Sequence, residues 1–165
     1  MQSENSMTSG RNISILIVDD DASLLRALER VLSDQGYKVT CANWVAEAME
    51  QLDDPQKGFD LIITDLHMPF VRGASILRMI AQRLDSVMAQ PASATDGKPR
   101  VQGIHPTVSK VPVIVLTAYG SQDVRDECSH LGVAAFLEKP LDTQQLLAAI
   151  ESALALQKSV ATDSN

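Results

Sequence analysis

Three consecutive acids, Asp19, Asp20 and Asp21, close an apolar run that begins at Ile13, and a fourth acid, Asp65, closes a second run from Leu61. A hydroxyl, Thr117, and an ammonium, Lys139, stand at the ends of two more. Residues of these types do little for packing, and each sits where a buried strand would run out. Open parallel sheets bind ligands in the crevice at the C-terminal ends of their strands, where the strand order reverses. Asp19, Asp20, Asp65, Thr117 and Lys139 would then converge on one edge from four distant stretches. If the first and third strands are neighbours, the carboxylates of Asp19, Asp20 and Asp65 lie within a few ångströms of one another. Two carboxylates about 4 Å apart repel by about 4 kcal/mol at an effective dielectric near 20. A hard divalent cation relieves that repulsion. An oxygen-only cluster that leaves places for water suits Mg²⁺, with Mn²⁺ as its substitute.

The elements that must position these residues are legible as an alternation of short apolar runs with helical patterns, the signature of βαβ units around a parallel sheet buried on both faces. The predicted strands are Ser14 to Val18, Lys38 to Ala42, Leu61 to Thr64, Val113 to Leu116 and Ala135 to Leu137. The first helix follows Asp21 with Leu24, Leu25, Leu28, Val31 and Leu32 at helical spacing, and stops at Gly36. Val45, Ala48, Met49 and Leu52 mark the second. Ile76, Leu77 and Ile80 mark the third, from Gly73 to Leu84, and Val124 and Cys128 the fourth, from Ser121 to Leu131 before Gly132. The last shows Leu146, Leu147, Ile150 and Leu154. Ser86 to Lys110 breaks the rhythm: it holds Pro91, Pro99, Pro106, Gly97 and Gly103 where a few residues would suffice. It reads as an insertion, mildly basic through Lys98, Arg100 and Lys110 against Asp96.

A chain of 165 residues is enough for one domain with a sizeable core. With 14 basic residues against 21 acidic ones its net charge is −7, which argues against direct nucleic-acid binding. At 45% hydrophobic and 21% charged residues it is globular in composition, and it has no apolar run long enough for a membrane span. Residues 1–12 read as a flexible polar tail without a secretory core, residues 158–165 as a second tail, and the protein as cytoplasmic. Cys41 and Cys128, far apart and in no metal-ligand spacing, read as two buried thiols. His67, His105 and His130 are too scattered for a metal cluster. Trp44 and the leucine stripes read as packing. No glycine-rich phosphate loop follows the first strand, so neither nucleotide nor flavin is expected.

Ile15 to Asp20 with its closing acidic pair, Asp60 to Pro69 (Asp-Leu-Ile-Ile-Thr-Asp-Leu-His-Met-Pro), Val113 to Ala118, and Lys139-Pro140 together resemble the receiver domain of two-component response regulators, of the single-domain chemotaxis type. The resemblance covers residues 13–157. It implies a flavodoxin-like α/β fold: a doubly wound five-stranded parallel sheet of order 2-1-3-4-5. It implies that Asp65 accepts a phosphoryl group from a sensor histidine kinase or histidine phosphotransfer protein. Asp20 and Asp65 would bind Mg²⁺, Asp19 mainly through water, and the backbone carbonyl of His67 would complete the protein ligands. Thr117 and Lys139 would hold the phosphoryl oxygens, Phe136 would turn inward behind Thr117, and a cis bond at Pro140 would aim the lysine. The surface of the fourth helix, fifth strand and fifth helix would then present the change to a downstream protein partner, with a phosphorylation-dependent homodimer among the outcomes. Such a domain is a signalling phosphoacceptor with self-dephosphorylation only, not an enzyme.

Taken singly, each residue has a plainer role: Asp21 as a helix cap, Thr117 as another, Lys139 as a surface lysine. Ile15 to Ser23 also fits the opening of haloacid dehalogenase-like phosphatases, with Asp19 as nucleophile and Asp21 as acid, but only the lone Asp142 follows Lys139 where that family needs an acidic pair. A receiver-like adaptor that is never phosphorylated is the third reading. His67, Ala118 and Tyr119 are placed to modulate phosphoryl lifetime, Tyr119 by shielding it from water. Phe70-Val71-Arg72 stands where the family more often has small and acidic residues before its glycine. The insertion is expected at the end of the sheet away from Asp65, as a partner or dimer contact.

Overall fold

Alternate side chains of a strand point to opposite faces, so a strand buried on both sides feeds two separate apolar layers. The chain follows that rule closely. In the computed structural model, which describes residues 12–88, 111–118 and 120–162, β1 (Ser14–Val18), β2 (Lys38–Ala42), β3 (Leu61–Asp65), β4 (Val113–Thr117) and β5 (Ala135–Glu138) form one parallel sheet. Leu16 and Val18 of β1, Ile62 of β3 and Val113 and Val115 of β4 face one layer. It is closed by α2 (Val45–Asp53), α3 (Ala74–Met88) and α4 (Gln122–His130). Ile15, Ile17, Leu61, Ile63, Ile114 and Leu116 face the other, closed by α1 (Ala22–Asp34) and α5 (Thr143–Thr162). The strand order is β2-β1-β3-β4-β5, the doubly wound, flavodoxin-like α/β sheet that the family resemblance implied, with its switch point between β1 and β3.

Two helix ends follow from their glycines. Gly36 has φ +86°; its N–H donates to Ser33 at 2.9 Å, and that of Tyr37 to Leu32 at 3.1 Å, which satisfies the last carbonyls of α1. Gly132, at φ +74°, ends α4 by the same pair of bonds, to Ser129 and Cys128.

Several boundaries differ from the predicted ones. Asp65, Thr117 and Glu138 are the last residues of β3, β4 and β5, each strand running one residue longer, because ladder pairing persists to those positions. α3 runs through Met88, so residues 86–88, read as the start of the insertion, are helical. α5 runs to Thr162, into the segment read as a tail. The rest of the insertion, and Tyr119, lie outside the described residues. Trp44 is not packed: it caps α2 without a side-chain bond and is 64% exposed. Cys128 is buried as expected, but Cys41 is only half-buried. Its Sγ–H donates to the Leu25 carbonyl at 3.9 Å, and burial, with Glu29 and Glu47 nearby, pushes the thiol up to about 11.

A thiol that ionises less readily when folded contributes stability fully present below its unfolded pKa and lost as pH rises toward the folded one. Cys41 should therefore be alkylated by iodoacetamide at pH 8 about a hundredfold more slowly than in the urea-unfolded chain, and its contribution to stability should be lost between about pH 9 and 11. Peptide mapping of the modified thiol and urea midpoints across that window measure the two effects.

Candidate functional site

The register of β1 on β3 pairs Val18 with Thr64, so the next rung brings Asp19 and Asp65 side by side at the switch point. Backbone bonds continue past the strand ends and fix the residues there. Asp19 N–H donates to Ala42 at 3.1 Å, Leu66 N–H to Leu116 at 3.4 Å, and Lys139 N–H to Thr117 at 2.8 Å. Asp19, Asp65 and Thr117 are buried. Burial of carboxylates demands partners, and they are present. Lys139 Nζ donates to Asp19 Oδ2 and to Asp65 Oδ2, each at 2.6 Å. The second oxygens accept backbone amides: Asp21 N–H to Asp19 Oδ1 and His67 N–H to Asp65 Oδ1, each at 2.8 Å.

Electrostatics follow from this packing. Burial pushes the Asp19 carboxyl above its ordinary range, against the opposing bonds from Lys139 and the Asp21 amide. Burial pulls the Lys139 ammonium down, but its bonds to Asp19 and Asp65 outweigh that and hold its pKa above the ordinary lysine value. Asp19, Asp20 and Asp65 each offer a carboxylate oxygen, all within 4.8 Å of one another. That is a hard, all-oxygen donor set with spare lone pairs, and it fits a small divalent cation.

Thr117 Oγ1 lies 3.2 Å from Nδ1 of His67, whose ring is half-exposed and 3.8 Å from Asp65 Oδ1. His67 thus touches both the acid and the hydroxyl, a contact that sequence spacing of fifty residues could not show. Ala118, the residue after Thr117, is exposed. The Lys139–Pro140 peptide is cis, as the resemblance implied. Phe136 is half-buried in the layer under α4, with the Arg125 guanidinium 4.5 Å from its ring centroid, a partner the sequence did not reveal. Asp21 has a structural role, since its side chain accepts from Ser23 and Leu24 N–H at 2.9 and 3.1 Å and caps α1. Those bonds hold its carboxyl below the usual range, the wrong direction for the proton donor that a phosphatase would need.

After β3 the chain makes a small hairpin, His67 opposite Arg72 and Met68 opposite Val71, closed by Gly73 N–H on Leu66 at 2.8 Å. Pro69 and Phe70 are its turn residues. Proline suits the first central position of a type II turn, and the second requires positive φ, where glycine or asparagine is favoured. Phe70 occupies that second position at φ +69° with its side chain fully exposed.

Sheet order and acidic crevice define a doubly wound α/β domain that gathers charge at one edge of its sheet. Residues 15–102, more than half of the chain, match the family model described as the response regulator receiver domain. The chain belongs to that family. It is 32% identical to the transcriptional regulatory protein ZraR of Escherichia coli over 149 residues, which cover 90% of this chain and 28% of that one. The chain thus spans under a third of that relative. Among solved structures it resembles the receiver domain protein of Clostridium thermocellum (25% identity, TM-score 0.69, covering 90% of this chain and 98% of that one). It also resembles the non-phosphorylated HemR receiver domain of Leptospira biflexa (27%, 0.64, covering 86% and 94%).

Two substitutions test the local architecture. Asp21→Ala, which removes the cap of α1, should lower the urea midpoint, while Asp21→Asn, which keeps an acceptor, should retain most of it. Phe70→Asn should raise stability by about 1 kcal/mol, because a bulky residue in the left-handed region gives way to one that tolerates it and no buried contact is lost. Equilibrium urea unfolding reads both.

Proposed function

We propose that this receiver domain takes a phosphoryl group on Asp65 from a phosphohistidine of a sensor kinase or phosphotransfer protein, and presents the change to a protein partner through α4, β5 and α5. The observation that carries the reading is the triad of Asp19, Asp65 and the Lys139 ammonium bonded to both, with Thr117 at the next strand end. An Asp65 carboxylate oxygen forms the new bond to phosphorus as the phosphorus–nitrogen bond breaks, and the electron pair returns to the donor imidazole. Such transfer is mostly positioning and charge neutralisation. Lys139 neutralises phosphoryl oxygens, Thr117 donates a hydrogen bond to one of them, and the His67 amide orients Asp65. Mg²⁺ held by Asp20, Asp65 and the His67 carbonyl, with Asp19 reaching it through water, would supply further positive charge against the acids and the phosphoryl group.

Residues 13–157 are the unit that does this, with 1–12 and 158–165 flanking it. No helix among the described residues is long and apolar enough to cross a membrane, and a cytoplasmic place fits a phosphorelay. Asp21's role as a helix cap favours this reading over the phosphatase one.

Incubation with acetyl phosphate and Mg²⁺ should give a single phosphoryl adduct by intact mass, absent in Asp65→Asn and after EDTA treatment beforehand. Continuous phosphate release that persists in Asp65→Asn and requires Asp19 would replace the phosphoacceptor role of Asp65 by phosphatase chemistry at Asp19. No adduct on the wild type would leave an unphosphorylated adaptor.

A further inference from the structure

We infer that Trp44 and Phe70 form an aromatic docking surface for the protein that brings the phosphoryl group, a partner whose facing surface offers apolar pockets within a cationic rim. The inference rests on Asp65 being the acceptor, and both residues stand outside the site as described above.

Each of the two aromatics occupies a position where the fold favours a small polar residue. Phe70, at φ +69°, sits where glycine or asparagine is unstrained, and its side chain is fully exposed, so no contact within the molecule offsets the strain. Trp44 is the residue before α2, with extended φ and ψ and no side-chain bond to the helix amides. Serine, threonine, aspartate or asparagine at that position would accept one of those amides. The indole is instead 64% exposed. Residues that cost the fold stability and leave most of their surface in water point to a contact outside the molecule. Aromatic side chains are enriched at protein interfaces, where a few of them carry much of the binding.

Their placement identifies the partner. β2 and β3 flank β1, and the helices that follow them, α2 and α3, pack side by side over one layer. Trp44 leads into α2, and Phe70 lies in the hairpin that leads into α3. Both therefore stand at the C-terminal edge of the sheet, where Asp19, Asp20 and Asp65 gather. Among the described residues the one other large apolar side chain so exposed is Leu156, far along α5. Asp65 is buried at its strand end, so a histidine borne on a protein reaches it only if that protein lies across this edge. A molecule as small as acetyl phosphate needs no such footing. Asp20 and Asp21, both exposed, border the crevice, and the chain carries −7 overall. A second copy of this chain would meet like charge there, whereas a cationic face would meet its complement.

The test charges the histidine kinases and phosphotransfer proteins of the encoding organism with radiolabelled phosphate, finds the one that labels the wild type fastest, and uses it as the probe. Trp44→Ser and Phe70→Asn should each raise the receiver concentration at half-maximal transfer about tenfold and leave the saturating rate unchanged, and the double variant should raise it about a hundredfold. Acetyl phosphate should label all three at the wild-type rate, and their urea midpoints should lie at or above that of the wild type. Arg78→Gln, which breaks the 2.8 Å ion pair with Glu127 between α3 and α4, should match the wild type with both donors. A merely structural role would lower the urea midpoints and slow both donors alike, which overturns the docking surface. Unchanged half-maximal concentrations overturn it, as does acetyl phosphate labelling of a wild type that no protein donor labels. Sedimentation showing a wild-type dimer that either substitution dissolves gives the face to a second copy and overturns it as well. A wild type that acetyl phosphate leaves unlabelled overturns the receiver reading itself, which sets that failure apart from the others.

Discussion

The fold places two carboxylates where they cannot avoid each other. Asp19 and Asp65 follow paired positions on adjacent parallel strands, whose axes lie about 4.8 Å apart, and both are shut away from solvent. Uncompensated, that arrangement would oppose folding, since a buried charge left without its partner costs about 3–5 kcal/mol. Lys139 is the compensation, one ammonium shared at 2.6 Å between two acids. With Asp20 alongside, the crevice keeps a surplus of negative charge even with the lysine in place. That surplus has the sign that a divalent cation would offset. Stability and chemistry therefore depend on the same few atoms.

Everything else in the domain serves to hold those atoms at strand ends. The three central strands, β1, β3 and β4, are buried on both faces, and backbone bonds that run on past the strand ends fix Asp19, Leu66 and Lys139. Loops make up the rest of the same edge. There the hairpin after β3 carries Phe70 in a conformation its side chain disfavours, and Trp44 stands exposed after β2.

Much of this is legible in the sequence because it follows from short-range rules. The strands declare themselves as apolar runs, Gly36 and Gly132 as helix ends, Asp19, Asp20, Asp65, Thr117 and Lys139 as residues with no packing purpose, and the order of the strands through the family resemblance. What is not legible depends on long-range geometry. The hydroxyl of Thr117 against the imidazole of His67, and Arg125 over Phe136, join positions that no periodicity connects. Trp44 departs from expectation because aromatic character predicts burial only on average, and here the residue falls at the start of a helix whose apolar face begins one position later, at Val45. Strands β3 and β4 outrun their sequence pattern by one residue because polar side chains at Asp65 and Thr117 look like the start of a loop, whereas strand pairing is made by backbone atoms and ignores them.

That last point bears on how the site can work. Because Asp65 and Thr117 are themselves strand residues, their backbones are locked by the ladder, and any rearrangement beside them must come from side-chain torsions and from the segments that follow. Lys139 is held by its amide bond to Thr117, so the ammonium and the hydroxyl are delivered by one joined pair of strand ends rather than by two independent loops. The path from site to surface is correspondingly short. It passes from Thr117 through Ala118 to Gly120, and from there to α4, while β5 carries Phe136 and Glu138 on the face that α4 covers. Among the described residues, those few are what leaves the edge of the sheet between Thr117 and α4.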